Sequence, residues 1–156
     1  MIENFVKIRR DGKRIEEHMD VQSLLALGWG PDKVIRIEWE ADGKKCAFDA
    51  EQGMLAKVGP DGSAILLLAE AVDAGVASSK LSILNADGSV RHRISNTHTI
   101  NGETMTGNFA WFEPARNDPE HCVGVIFQAE SEAGPEQYQF DLNVTTGEPV
   151  EVRVSR

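Results

Sequence analysis

Five times along this chain a short alternating apolar run stops at a tight turn built on glycine, and four of the five turns are Asp-Gly. Val6-Lys7-Ile8 precedes Asp11-Gly12, and Ile35-Arg36-Ile37-Glu38-Trp39 precedes Asp42-Gly43. The pattern returns at Asp61-Gly62, at Leu81-Ser82-Ile83-Leu84 before Asp87-Gly88, and at Phe140-Asp141-Leu142 before Thr146-Gly147. Glycine takes a positive φ without steric cost and aspartate tolerates one, so Asp-Gly between alternating runs is a hairpin signal. The spacing predicts an all-β, mainly antiparallel protein. It is read either as an open twisted meander of two to three blade-like units or as two packed sheets.

The first hairpin is expected over Phe5–Arg9 and Arg14–Glu17. One short N-terminal helix follows, with Asp20 as N-cap, Val21, Leu24 and Leu25 on one face, and Gly28 at the C′ position. A turn at Trp29-Gly30-Pro31-Asp32 leads into a strand over Lys33–Glu40. Lys45–Asp49 and Met54–Val58 read as separate strands around a turn at Glu51-Gln52-Gly53. The longest apolar run starts at Ala64, and its length and flanking turns favour a buried strand over Ala64–Ala71. Asp73–Ser79 reads as a loop of small residues, and Leu81–Leu84 with Val90–Ile94 as a hairpin. Residues 95–108 are polar apart from Ile100 and Met105, giving an exposed functional loop or a weak outer strand. Strands then follow over Phe109–Glu113, Cys122–Ala129, Tyr138–Val144 and Pro149–Val154. In the first of these, strict alternation puts Phe109 and Trp111 on one side and Ala110 and Phe112 on the other. Lys44, Lys45, Arg91 and Arg93 read as charged guards of strand edges.

At 156 residues the chain reads as a single domain, 1–156, long enough to bury a core without metals or disulfides. It divides into 1–46, 47–94 and 109–154. The last two share a rhythm of three or four strands and a closing glycine turn. Asp49-Ala50-Glu51-Gln52-Gly53 and Asp141-Leu142-Asn143-Val144-Thr145-Thr146-Gly147 resemble the strand-turn phrase of β-propeller blades. A closed propeller takes about four blades or more, and the chain has room for fewer, so the resemblance implies an open sheet with exposed edges.

Charge is the second constraint. The net charge is −9, and between Glu103 and Glu151 ten acidic residues face a single basic one, Arg116. Such a field repels nucleic acid and anionic membranes and attracts basic partners. Neither a basic, apolar leader nor a membrane-spanning run is present, so a cytoplasmic location is expected. Cys46 and Cys122 are then expected to be reduced.

No catalytic frame stands out. His18, His92, His98 and His121 show no metal-ligand spacing. Cys122 with His98 or His121 has the residue types of a thiol–base pair, and Glu38 with Glu40 those of an acid–base pair. A buried cysteine and a solvated strand face are the plainer readings of each. No glycine-rich loop precedes a helix. No catalytic residue, metal or cofactor is expected, and the chain reads as a non-enzymatic protein-binding module.

In size, acidity and meander character the chain resembles the small acidic immunity proteins that bacteria make against polymorphic toxins. That resemblance implies a partner protein with a basic surface, a toxin domain. The expected contact residues are Glu130, Glu132 and Glu136, with Asn96, His98, Asn101 and Asn108 from the polar segment. Trp29, between two glycines, is a candidate anchor. Two other readings stay open: a small-ligand-binding or enzymatic β domain with its site at 95–108, and a structural subunit pairing with itself through a sheet edge.

Overall fold

The continuous apolar run at Ala64 forms the centre of the molecule. In the computed structural model, which describes residues 1–16, 22, 33–73, 75–130 and 136–155, the strands are β1 (Ile2–Arg9), β2 (Arg14–Glu16), β3 (Val34–Ala41), β4 (Lys44–Val58), β5 (Ala64–Asp73), β6 (Val76–Asn85), β7 (Val90–Ile94), β8 (Thr97–Ile100), β9 (Glu103–Glu113), β10 (Cys122–Ala129), β11 (Glu136–Asn143) and β12 (Pro149–Val154). They form a seven-stranded sheet in the order β2-β1-β3-β4-β5-β6-β7 and a five-stranded sheet in the order β12-β11-β10-β9-β8. Among the described residues every strand pair is antiparallel. Of the two architectures read from the sequence, two packed sheets is the one observed. The seven-stranded sheet takes in β1–β3 as well as residues 47–94, so the blade-like division does not coincide with a sheet. Among the described residues no helix is long and apolar enough to cross a membrane.

β5 does not alternate because both of its faces are buried. Ala64, Leu66 and Leu68 point into a core shared with the second sheet, against Phe109, Val125, Phe127 and Phe140. Ile65 and Leu67 point the other way, into a second core with Ile2, Phe5, Ile37, Trp39 and Met54. That second core exists because the larger sheet curls over its own face. Ile2 N–H donates to the Gly62 carbonyl at 2.8 Å. The indole N–H of Trp39 donates to the Ala86 carbonyl, 2.7 Å away, at the β6–β7 turn.

The curl runs through β4, whose first half pairs with β3 and whose second half pairs with β5. The turn expected at Glu51-Gln52-Gly53 is instead a bulge inside one strand. Val34 opposes Met54 and Arg36 opposes Asp49, so the extra residues lie in β4. Gly53, at φ 104°, absorbs the bend. The loop expected over Asp73–Ser79 is also strand: β5 and β6 pair out to Asp73↔Val76. The helix expected between Asp20 and Gly28 and the turn holding Trp29 lie outside the described residues, Gln22 aside.

Residues 95–108 form a hairpin, β8–β9, rather than a loop. Asn101 (φ 53°) and Gly102 (φ 81°) both adopt the left-handed region that a two-residue hairpin turn requires. The flanks are rich in threonine, a strand former, and Thr97–Thr106 and Thr99–Thr104 hydroxyl pairs bridge the strands at 3.0 and 3.1 Å. Composition hid this strand pair, although its Asn-Gly dipeptide marked it. Arg91, expected at an edge, ties the sheets together by donating to Asn85 Oδ1 at 2.6 Å and to the Val144 and Ser63 carbonyls.

Candidate interaction surface

One end of the five-stranded sheet holds two of the described residues expected to meet a partner, Glu130 and Glu136. Gly107 opposes Ala129 and Ala129 opposes Glu136, so the middle of β9, the end of β10 and the start of β11 lie in one row. Glu130 follows directly and is exposed. Its N–H donates to the Thr106 carbonyl at 2.9 Å. Glu136 accepts a hydrogen bond from the Tyr138 hydroxyl. That bond, with burial and the charges of Glu136 and Glu103 behind it, pushes the Tyr138 phenol up to about 12. The phenol therefore stays protonated and holds the Glu136 carboxylate in place. Glu132 and Trp29 lie outside the described residues.

The polar residues of β8–β9 do other work. Asn96 Nδ2 donates to the Ser79 and Gly107 carbonyls at 3.1 and 3.0 Å. Asn108 Oδ1 accepts from the Ser79 N–H at 3.4 Å. Both asparagines thus join β6 to β9 across the two sheets. Asn101 is exposed at the hairpin turn. His98 turns inward, edge-on to Phe109, Phe127 and Phe140 at 4.9–5.8 Å. Burial lowers its pKa, against a raising hydrogen bond to the Ser95 carbonyl.

The other candidate chemistries are likewise occupied. Glu38 is paired with Arg36 at 2.8 Å and Arg14 at 3.3 Å. The Arg36 hydrogen bond leads in holding its carboxyl below the usual range. Glu40 accepts from Asn4. Glu38 and Glu40 line a groove of about 690 Å³ with Trp39, Lys45 and Cys46. Both cysteines are free, and burial pushes the Cys122 thiol up, away from the thiolate a nucleophile needs. His121 Nδ1 is bonded to Asp118 at 2.7 Å rather than to Cys122. Asp141, wholly buried, receives N–H groups from Arg116, Asn117, Gln139 and Arg153 at 2.9–3.4 Å. Among the described residues no group of three or more His, Cys, Asp or Glu is placed to hold a metal ion.

Strict alternation fails in β9, and the failure creates the second surface feature. Phe109 opposes Phe127 and Phe112 opposes Val125, so Ala110 and Trp111 together face Ile126 in a bulge. Phe109 and Phe112 then both turn toward the core, while Trp111 is 37% exposed. Its indole N–H donates to Glu113 Oε1 at 2.7 Å. Trp111 and Phe112 line a cleft of about 660 Å³ together with Leu55 and Lys57 of β4, Lys7 of β1 and Ile15 of β2. Leu55 is 45% exposed. The pairing of β9 with β10 decides this arrangement, and no spacing within β9 announces it.

The chain is similar to one chain of a solved structure described as Tne2 in complex with Tni2, at 30% identity, covering 100% of both chains, with a TM-score of 0.89. This chain belongs to that protein's family. No protein-family model matches the sequence, and no curated protein does. The similarity spans both sheets and therefore both the acidic sheet end and the β4–β9 cleft.

Proposed function

We propose that this chain is a cytoplasmic, non-enzymatic immunity protein that binds a cognate bacterial toxin domain and neutralises it by occlusion. The observation that carries the reading is the full-length similarity to a chain solved in complex with a protein partner. Size and a net charge of −9 agree with it, as does the two-sheet frame. Glu130, Glu136 and the β8–β9 hairpin are the contact region, and their charge steers a basic partner inward.

The test is co-expression with the protein encoded beside this chain's gene, followed by purification and a growth assay. The expected result is a stable complex and relief of toxicity. Replacing Glu130 and Glu136 together by lysine is expected to slow association at low salt about tenfold and to flatten its salt dependence. Unchanged association kinetics would remove that end of the sheet from the interface. Absence of any complex would sink the whole reading.

A further inference from the structure

The β4–β9 cleft is chemically opposite to the rest of the surface. The chain carries a net charge of −9, yet Lys7 and Lys57 both line this cleft beside Leu55, Trp111 and Phe112. Burial, and then the charge of Lys57, lower the Lys7 pKa. Glu16 lines the same wall, but among the described residues neither lysine forms an ion pair. Lys7 is unfavourably placed, partly desolvated and with a second lysine lining the same cleft, and one carboxylate between the two relieves both effects.

The walls say what should accompany that carboxylate. A bulge is a local departure from regular pairing that re-aims a side chain, and here it brings out a tryptophan. Trp111 and Leu55 are both exposed and line the same cleft, and a partially exposed tryptophan in a pocket is a side chain enriched at binding hot spots. A free inorganic anion would leave these apolar surfaces wet. We propose that the cleft anchors a loop of the partner protein that carries a carboxylate next to an apolar or aromatic side chain, the carboxylate between Lys7 and Lys57 and the apolar group against Trp111 and Leu55.

This inference rests on the reading of the chain as an immunity protein and specifies where its partner is held. Gly107 at the acidic end and Trp111 at the cleft are four residues apart on β9, about 13 Å along a strand. One partner face of ordinary size covers both. The acidic end then governs approach, and the cleft governs release.

The experiment uses the full chain and the purified complex with the protein encoded beside its gene. Trp111→Ala and Leu55→Ala are each expected to raise Kd at least tenfold through faster dissociation, with association changed less than threefold. Trp111→Phe keeps an aromatic wall and is expected to stay within threefold of the parent. Lys57→Glu is expected to weaken binding as strongly, and a Lys replacing one interface carboxylate of the partner is expected to restore it. Thermal midpoints of the free variants within a few degrees of the parent confirm folding, since both truncated side chains are substantially exposed. A complex that forms normally with Trp111→Ala and Leu55→Ala both within twofold in Kd overturns the cleft while leaving the proposed function intact. Loss of affinity in those two variants without rescue of Lys57→Glu by any interface carboxylate overturns the carboxylate assignment. No complex with the parent chain overturns both the inference and the reading beneath it.

Discussion

At the scale of single residues, Asp141 is the most committed group in the molecule. It is fully buried, and Arg153 Nη2 reaches it at 2.9 Å. Burial drives its carboxyl upward, but hydrogen bonds from Gln139, the Asn117 amide, Arg153 and the Arg116 amide outweigh that and hold it below the usual range. A depressed folded-state pKa means that the stabilisation is present above the unfolded value, about 3.9, and is lost as pH falls through the folded one. Asp141→Asn removes the buried partner of Arg153, leaving it paired with the more exposed Glu151, and is expected to cost about 3 kcal/mol in urea unfolding at neutral pH. His98 works in a higher window. Burial lowers its pKa, so the unfolded chain binds the proton more readily and stability declines as pH falls below about 6.5. His121 has a raised pKa, mainly through its hydrogen bond to Asp118, and so contributes in the opposite direction, losing stability as pH rises. Comparing thermal midpoints of the parent and His98→Phe from pH 7.5 to 5.5 isolates the His98 part, and the variant should fall less. Neither role was legible from spacing. Asp141 stands at an outward position of an alternating strand, and it is buried because residues 114–117 fold over it, Pro114 accepting from Gln139 and Asn117 donating to the carboxylate.

At the scale of elements, hairpins with clean alternation were readable and departures from it were not. The β6–β7 hairpin was readable because Leu81-Ser82-Ile83-Leu84 and the Asp-Gly turn agree: β7 matches its expected bounds, whereas β6 begins at Val76, five residues before the expected Leu81. β4 was cut in two because a positive-φ glycine reads the same in a turn as in a bulge, and only pairing with β3 tells them apart. β9 was given the wrong faces for Trp111 and Phe112 for the same reason. The tightest element contact is likewise invisible from one strand. A Cβ placed on Gly107 would lie 2.1 Å from the Gln128 carbonyl oxygen, a backbone atom with no room to yield. Gly107→Ala therefore has to open the β9–β10 ladder, at a cost of roughly 2–3 kcal/mol or more. The corresponding measurement is the denaturant midpoint, with Gly102→Ala as a control, since nothing lies within 4 Å of a Cβ there. Strain from the positive φ of Gly102 sets the size of that control. A Gly107 variant no less stable than the control would show that β9 and β10 can separate at this point.

At the scale of the whole molecule, fold class and charge were legible, and the curl of the larger sheet was not. Two-sheet packing follows from twelve short strands with apolar faces, but a second core on the far side of β5 needs β1 and β3 to fold back over it. In the sequence this shows only as the longest unbroken apolar run, Ala64–Ala69. The run has a consequence for motion. Because Ala64–Leu68 form a wall common to both cores, neither core can loosen without exposing the other. Amide protons of β5 are therefore expected to exchange with deuterium only through global unfolding, at the slowest rate in the chain, while those of the edge strands β2, β8 and β12 exchange through local opening. Two separate exchange free energies for the two cores would contradict this. The central strand makes one cooperative unit of two hydrophobic interiors, so a partner that grips either side of the molecule stiffens the whole of it.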